Sequence, residues 1–198
     1  MMNMVPVDDF IPMLRSMVSN AITLEMKSAI VQAAITFCRK SKVVIHTRTI
    51  DSVFAGETVR VVENSGINRR TPGSIKSAEI VSIKSGNDDL TPGSDYINDG
   101  LDSVKFKRDI GEVDFVAIVE PDLNAKFLPA ILMSDWCNVL CHGAASILNS
   151  KSSGPEVQMT SFHEREFIDG IRRAYRWRVE TLPELNPKVK SNRSREFF

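Results

Sequence analysis

Histidine, tryptophan and tyrosine are scarce in this chain, at three, two and two copies, and cysteine is held to three. An odd cysteine count with no framework spacing excludes a disulfide-stapled scaffold and fits a protein folded in a reducing cytoplasm. No run reaches the roughly 18 uninterrupted apolar residues that a membrane helix needs. Met1-Met2-Asn3-Met4-Val5-Pro6 lacks the basic and apolar regions of a secretion signal. Net charge is lacking too, with 25 Lys and Arg against 25 Asp and Glu.

Catalytic motifs are equally sparse. Gly66, Gly73, Gly86 and Gly93 do not stand in the strand–glycine–helix context, with its Lys-Ser/Thr ending, that a phosphate-binding loop requires. There is no Gly-x-Ser-x-Gly elbow, and Asp88-Asp89 sits in a polar turn where solvation explains the pair. Cys137, Cys141 and His142 form the sharpest cluster, with the two cysteines one helical turn apart. A closed zinc site needs four ligands, and no second Cys or His pair occurs. Buried cysteine also behaves as a small hydrophobe, so core packing is the favoured reading. His163-Glu164 starts a run whose second metal-ligating histidine would fall at Phe167. His46 has no sequence partner. The expectation is a protein that is not an enzyme and carries no cofactor or metal.

What is present is enough apolar residue, 42% of the 198, for a core in one domain with one large insertion. Val7 to Val18 carries Phe10, Ile11, Leu14 and Val18 at helical spacing, with Asp8 and Asp9 at its positive end. Leu24 to Arg39 repeats the pattern with Met26, Ala29, Ile30, Ala33, Ala34 and Phe37, with Thr23 as the expected N-cap. After Ser41, short β-branched runs take over: Val43 to Ile45, Ile50 to Phe54, Thr58 to Val62, Glu79 to Ile83, Ser103 to Phe106 and Val113 to Val119. Asn64 to Ser74 reads as a loop, and Asp99-Gly100 as a hairpin turn. Helical spacing returns from Leu128 to Asn149 and from Val157 to Val179, divided by Ser150 to Pro155.

This order predicts an α+β fold, an antiparallel helical bundle of about four helices with a small antiparallel β insertion and an extended C-terminal tail. The expected divisions are a helical hairpin over 1–41, a β-rich insertion over 42–121, a helical pair over 122–180 and a basic tail over 181–198.

The zero net charge conceals an uneven distribution. Glu79 to Asp122 holds eleven acidic side chains against four basic, and Ile171 to Phe198 holds eight basic against three acidic. Arg172, Arg173, Arg176 and Arg178 lie on the last helix, and Lys188, Lys190, Arg193 and Arg195 follow before the terminal Phe197-Phe198. These ten residues are the candidate partner-binding set. Docking of the tail on a partner, with the phenylalanines as anchors, weighs equally with a solvated face. Contact with DNA phosphates ranks below both, because groove-reading motifs are absent.

Three stretches resemble the head-to-tail adaptor, connector or head-completion family of tailed bacteriophages. Ala33 to Ser41, with its Phe37-Cys38-Arg39 step, is similar to the family's early helix. Leu90-Thr91-Pro92-Gly93-Ser94-Asp95-Tyr96 with Asp99-Gly100 looks like its β insert. Met159 to Tyr175, with Phe162, Glu166-Phe167, Gly170-Ile171 and Ala174, looks like its last helix. They span most of the chain in the family's order, and that order is more specific than any one motif. Ser152-Ser153-Gly154-Pro155 departs from the family by lacking an aromatic before the last helix.

The resemblance implies a structural protein of the virion neck, assembled in the host cytoplasm into a homo-oligomeric, dodecameric ring. Its partners would be the portal protein, which the C-terminal segment reaches, and tail or nozzle proteins. Genomic DNA would pass through the channel without sequence-specific binding. Two other roles are weighed. A tail-tube, tail-terminator or baseplate component would use the β insert as a tube wall. A DNA-binding accessory protein is disfavoured by the net charge of zero.

Overall fold

A computed structural model of the protein describes residues 2–19, 21–63, 75–151 and 157–185. The element order is β1 (Met4–Pro6), a 3-10 turn (Val7–Phe10), α1 (Ile11–Arg15), α2 (Thr23–Ser41), β2 (Ile45–Ile50), β3 (Thr58–Arg60), β4 (Ile75–Ser85) and β5 (Asp88–Asp89). It continues with β6 (Tyr96–Asn98), β7 (Ser103–Phe106), β8 (Val113–Pro121), β9 (Phe127–Pro129), α3 (Ala130–Ser134), α4 (Cys137–Asn149), α5 (Val157–Thr181) and a closing 3-10 turn (Pro183–Leu185).

The expected bundle of about four helices is corrected by this arrangement. The described residues form a mixed α/β protein with five helices and nine strands in three antiparallel sheets. Two of the anticipated long helices are not continuous. Val7 to Val18 yields a 3-10 turn and the five-residue α1, which carries Pro12 in its first turn and closes at Ser16. Leu128 to Asn149 is split, because Phe127–Pro129 pairs with Met4–Pro6 as a two-stranded sheet and α3 is separated from α4 by Asp135 and Trp136. Helical periodicity marks which side chains are buried, and a short helix or turn satisfies it as well as a long one. Thr23 does not cap α2; its hydroxyl accepts a hydrogen bond from Arg15 at 3.1 Å. The chain after Thr181 forms the 3-10 turn as far as Leu185. The expected extended tail beyond it lies outside the described residues, as does the Asn64 to Ser74 loop.

Three long helices remain, α2, α4 and α5, and they pack on one another. Their shared core contains Ile30, Phe37, Leu132, Leu140, Phe167 and Ile171, joined by Phe10 and Leu14 from the N-terminal turns. Glycine sets how closely α4 and α5 approach. A Cβ at Gly170 would stand 2.3 Å from a Val139 methyl, and one at Gly143 would stand 2.7 Å from the Phe167 ring.

The β unit has its own core. A four-stranded sheet, β2-β8-β4-β5, faces a three-stranded sheet, β3-β7-β6. Val59, Val104 and Phe106 from the small sheet meet Ile83, Phe115 and Ala117 from the large one. Phe106 and Phe115 contact edge to face at 6.2 Å between centroids, a favoured aromatic geometry. Extra residues at Ala78 and Val81 bulge β4 against β8, and such bulges bend a strand.

Strand β8 links the two cores. Val113, Phe115 and Ala117 enter the β core and Val119 enters the helical one. Beside Val119 is Glu120, fully buried. Its carboxylate accepts two hydrogen bonds from the Arg39 guanidinium at the end of α2, one at 2.6 Å, and Lys76 Nζ of β4 lies 3.4 Å away. Two-pronged arginine pairing satisfies both oxygens, as a buried carboxylate demands. At the helix terminus, Lys42 takes a left-handed φ of 57° and its backbone N–H donates to the Cys38 carbonyl, an ordinary way to close a helix. Its Nζ pairs with Glu79 of β4.

Two outcomes follow. Arg39→Met strands the Glu120 charge and lowers stability by about 3 kcal/mol, at the low end for a broken buried pair because Lys76 remains. In urea unfolding, the double change with Glu120→Leu recovers most of that loss. Gly170→Ala costs about 1–3 kcal/mol by overpacking, and Val139→Ala in the same chain restores part of it.

Candidate partner-binding surface

Helix α5 owes its length to an apolar stripe at helical spacing. His163, Phe167, Gly170, Ile171, Ala174 and Arg178 are its buried positions, and Phe167, Ile171 and Ala174 among them join the core shared with α4 and α2. Outside that stripe the helix still carries several large apolar side chains among its polar ones. Val157, Met159, Phe162, Ile168, Tyr175 and Trp177 are all substantially exposed. Arg165, Arg172, Arg173 and Arg176 are exposed among them. Successive spacings of seven and four residues put Arg165, Arg172 and Arg176 on one face. Glu164 and Asp169 are exposed acids among them and Glu166 is half-buried; Asp169 lies 2.9 Å from Arg172, in a surface pair that contributes little.

The ten candidate residues therefore divide. Arg172, Arg173 and Arg176 are on the outer face of α5, where a partner can reach them. Arg178 is not; it is 3% exposed. Its guanidinium stands over the Tyr175 ring, 5.6 Å from the centroid, and reaches the Leu185 carbonyl at 3.4 Å. A cation over an aromatic face is attracted by the ring quadrupole. Arg178 belongs to the wall of a cavity of about 920 Å³ between the end of α5 and the open face of the large sheet, where Ile80, Val116 and Ile118 also stand. Lys188, Lys190, Arg193, Arg195, Phe197 and Phe198 lie outside the described residues. Arg165 is absent from the sequence-derived set, although its place one heptad before Arg172 is a usable signal.

The sequence clusters also resolve. Cys141 is buried and Cys137 half-buried, with Cys137 Sγ 3.6 Å from Met13 Sδ and Cys141 Sγ 3.7 Å from the Phe10 carbonyl. The neighbouring Cys137 thiol, together with burial, holds the Cys141 thiol above the ordinary thiol range. Burial and the nearby Glu120 charge do the same for Cys38. Thiols held protonated in this way are poor nucleophiles and poor metal ligands. Among the described residues no three His, Cys, Asp or Glu side chains converge as a metal site.

Two of the histidines meet in space. His142 on α4 and His163 on α5 approach to 2.8 Å between their Nδ1 atoms, and the Phe162 ring stands edge-on to His142 at 5.8 Å. One Nδ1 donates and the other accepts, so at least one ring is neutral. Burial lowers both pKa values, helped at His163 by the facing His142 and opposed at His142 by Glu166. No motif announces this pair. It depends on the close Gly143–Phe167 and Gly170–Val139 contacts that set the register of the two helices.

No protein-family model matches this chain, and no curated protein sequence matches it.

The histidine pair makes stability depend on pH. Because both folded-state pKa values lie below the ordinary one, its contribution is present above about pH 6.5 and is lost as pH falls through the folded values. Urea midpoints measured at pH 8 and pH 5.5 fall with acid in the native protein. The fall is smaller in His163→Gln.

Proposed function

We propose that this chain is a structural protein of the tailed-bacteriophage virion, a head-to-tail adaptor whose copies form a ring between portal and tail. In this reading its partners are the portal protein, tail or nozzle proteins and further copies of itself. DNA passes through the ring without sequence-specific binding, and the protein resides at the neck.

The observation that supports the reading best is the outer face of α5. One side of this 25-residue helix is locked into the core by close glycine contacts, while the other presents aromatic and aliphatic side chains interleaved with arginines. Aromatic residues and arginine are the types that dominate protein interfaces, and a rigid helix presents them at little entropic cost. The order of segments, similar to that of the adaptor family, points the same way. In this reading the basic chain beyond Leu185 supplies the reach to the portal.

The reading is tested by mixing purified protein with portal-bearing heads and imaging the portal vertex. A ring seated on the portal is expected. Stacking into tubes without any portal would instead identify a tail-tube component. Truncation after Leu185 keeps the Arg178–Leu185 contact and should leave the unfolding midpoint unchanged while abolishing attachment to heads. Attachment at the native level by the truncated chain would remove the tail from the docking role.

A further inference from the structure

Strand β8 begins at the end of the β unit distant from the helices, and an exposed phenylalanine stands there. Phe54 is 63% exposed, yet the loop that carries it is firmly built. Val53 beside it is buried, and it exchanges backbone hydrogen bonds with Ile110 at 2.9 and 3.0 Å. The Phe54 N–H donates to the Glu57 carboxylate at 2.9 Å, and the Ala55 N–H donates to Asp109 at 2.7 Å. Gly56, at φ of 85°, turns the chain and donates to the Phe106 carbonyl; glycine takes that backbone conformation without steric cost. A large apolar side chain held outward by this many bonds is presented rather than left over.

The surroundings of Phe54 are acidic. Glu57 and Asp109 are in the loop bonds just described, and both are exposed. Asp51 and Glu112 flank the Ile50–Val113 pair that ends the β2–β8 ladder, and are exposed too. Of the nearby cations, Lys107 reaches the Gly93 carbonyl and Arg108 pairs with Asp95 at 2.9 Å, while the exposed Lys105 stands opposite Thr58 in the β3–β7 ladder.

The outer face of α5 is mixed with a basic excess, the exposed Arg165, Arg172, Arg173 and Arg176 outnumbering the exposed acids Glu164 and Asp169. Ile168 is exposed beside Arg165, Arg172 and Arg176, and so is Tyr175, whose ring also packs on Arg178 at the cavity wall; their seven-residue spacing places Ile168 and Tyr175 along one edge. Between the Phe54 loop and the helical layer runs the length of β8, roughly 26 Å at the usual strand rise.

We infer that the Phe54 loop of one copy docks on the outer face of α5 in the next copy. Phe54 fills the space between Ile168 and Tyr175. Asp51, Glu57, Asp109 and Glu112 face Arg165, Arg172 and Arg176. A second copy is the favoured occupant because both halves of the complementary pair are on one chain whose net charge is zero, so copies approach without overall repulsion. Two different surfaces meeting in this way form a head-to-tail contact, which closes into a ring when the rotation permits. The inference rests on the adaptor reading and deepens it by naming the contact between ring neighbours.

The test uses two variants of the full chain in analytical ultracentrifugation. One carries Phe54→Ala, Asp51→Lys and Glu112→Lys; the other carries Arg165→Glu, Arg172→Glu and Arg176→Glu. All six positions are exposed, and unchanged unfolding midpoints check that folding is intact. Should the triple loop variant not fold, Phe54→Ala alone replaces it. Native protein is expected to self-associate, less so as salt is raised. Each variant alone should lose at least tenfold in association. Because the first keeps an intact helix face and the second an intact loop, mixing them should give a dimer that grows no further. A native chain that stays monomeric, variants that still associate, or a mixture that stays monomeric would each overturn the contact. Portal binding by a chain that never self-associates would sink this contact alone. Self-association without portal binding would instead sink the neck assignment.

Discussion

The carboxylate of Glu120 lies wholly inside the protein at the point where the large sheet meets the helices, and taking it there costs several kcal/mol in lost hydration. Arg39, 81 residues away at the end of α2, offsets that cost with two hydrogen bonds, and Lys76 adds a second cation from β4. The pair has a geometric consequence. Both carboxylate oxygens are satisfied only when α2 ends over the last residues of β8, so the helical layer and the β unit have one mutual position in which the charge is compensated. Lys42 and Glu79, close by on α2's end and β4, reinforce the same placement.

From that joint the rest can be followed outwards. Strand β8 carries Val119 into the helical core and Phe115 into the β core, so neither core is completed without it. On the helical side, Gly143 and Gly170 let α4 and α5 approach until Phe167 and Val139 fill the space a Cβ would need. This close register brings His142 against His163 and turns one side of α5 outward with its arginines and exposed aromatics. On the β side, the bonds around Val53, Ala55 and Gly56 hold Phe54 in solvent. The two surfaces proposed for assembly are thus consequences of how tightly each end of the molecule is packed.

Much of this was legible locally. The apolar stripes of α2, α4 and α5, the apolar run of β8 and the change from helix to strand after Ser41 follow from side-chain period alone. The basic end of the chain reappears in part as arginines on the outer face of α5, and Asp109 and Glu112 of the acidic stretch stand near the Phe54 loop, where Asp51 and Glu57, outside that stretch, join them. The bundle of about four helices was not supported, because period identifies a buried face without fixing how long the helix is. Pro12 and the pairing of Phe127–Pro129 with Met4–Pro6 cut two segments short. Arg178 misled for a related reason: a charged residue on a polar stretch looks exposed until Tyr175 and Leu185 are placed around it.

The sequence by itself determined which residues are apolar at which period, where helices give way to strands, and that opposite charges collect in different parts of a neutral chain. These are local properties, set by a residue and its neighbours within a turn or two. Only the tertiary structure decided that Arg39 meets Glu120, that two distant histidines share a hydrogen bond, that Arg178 is turned inward and that Phe54 is held outward. Each of those depends on the register between elements far apart in the chain. Register is fixed by side-chain volume and close approach across the core, which no local period encodes.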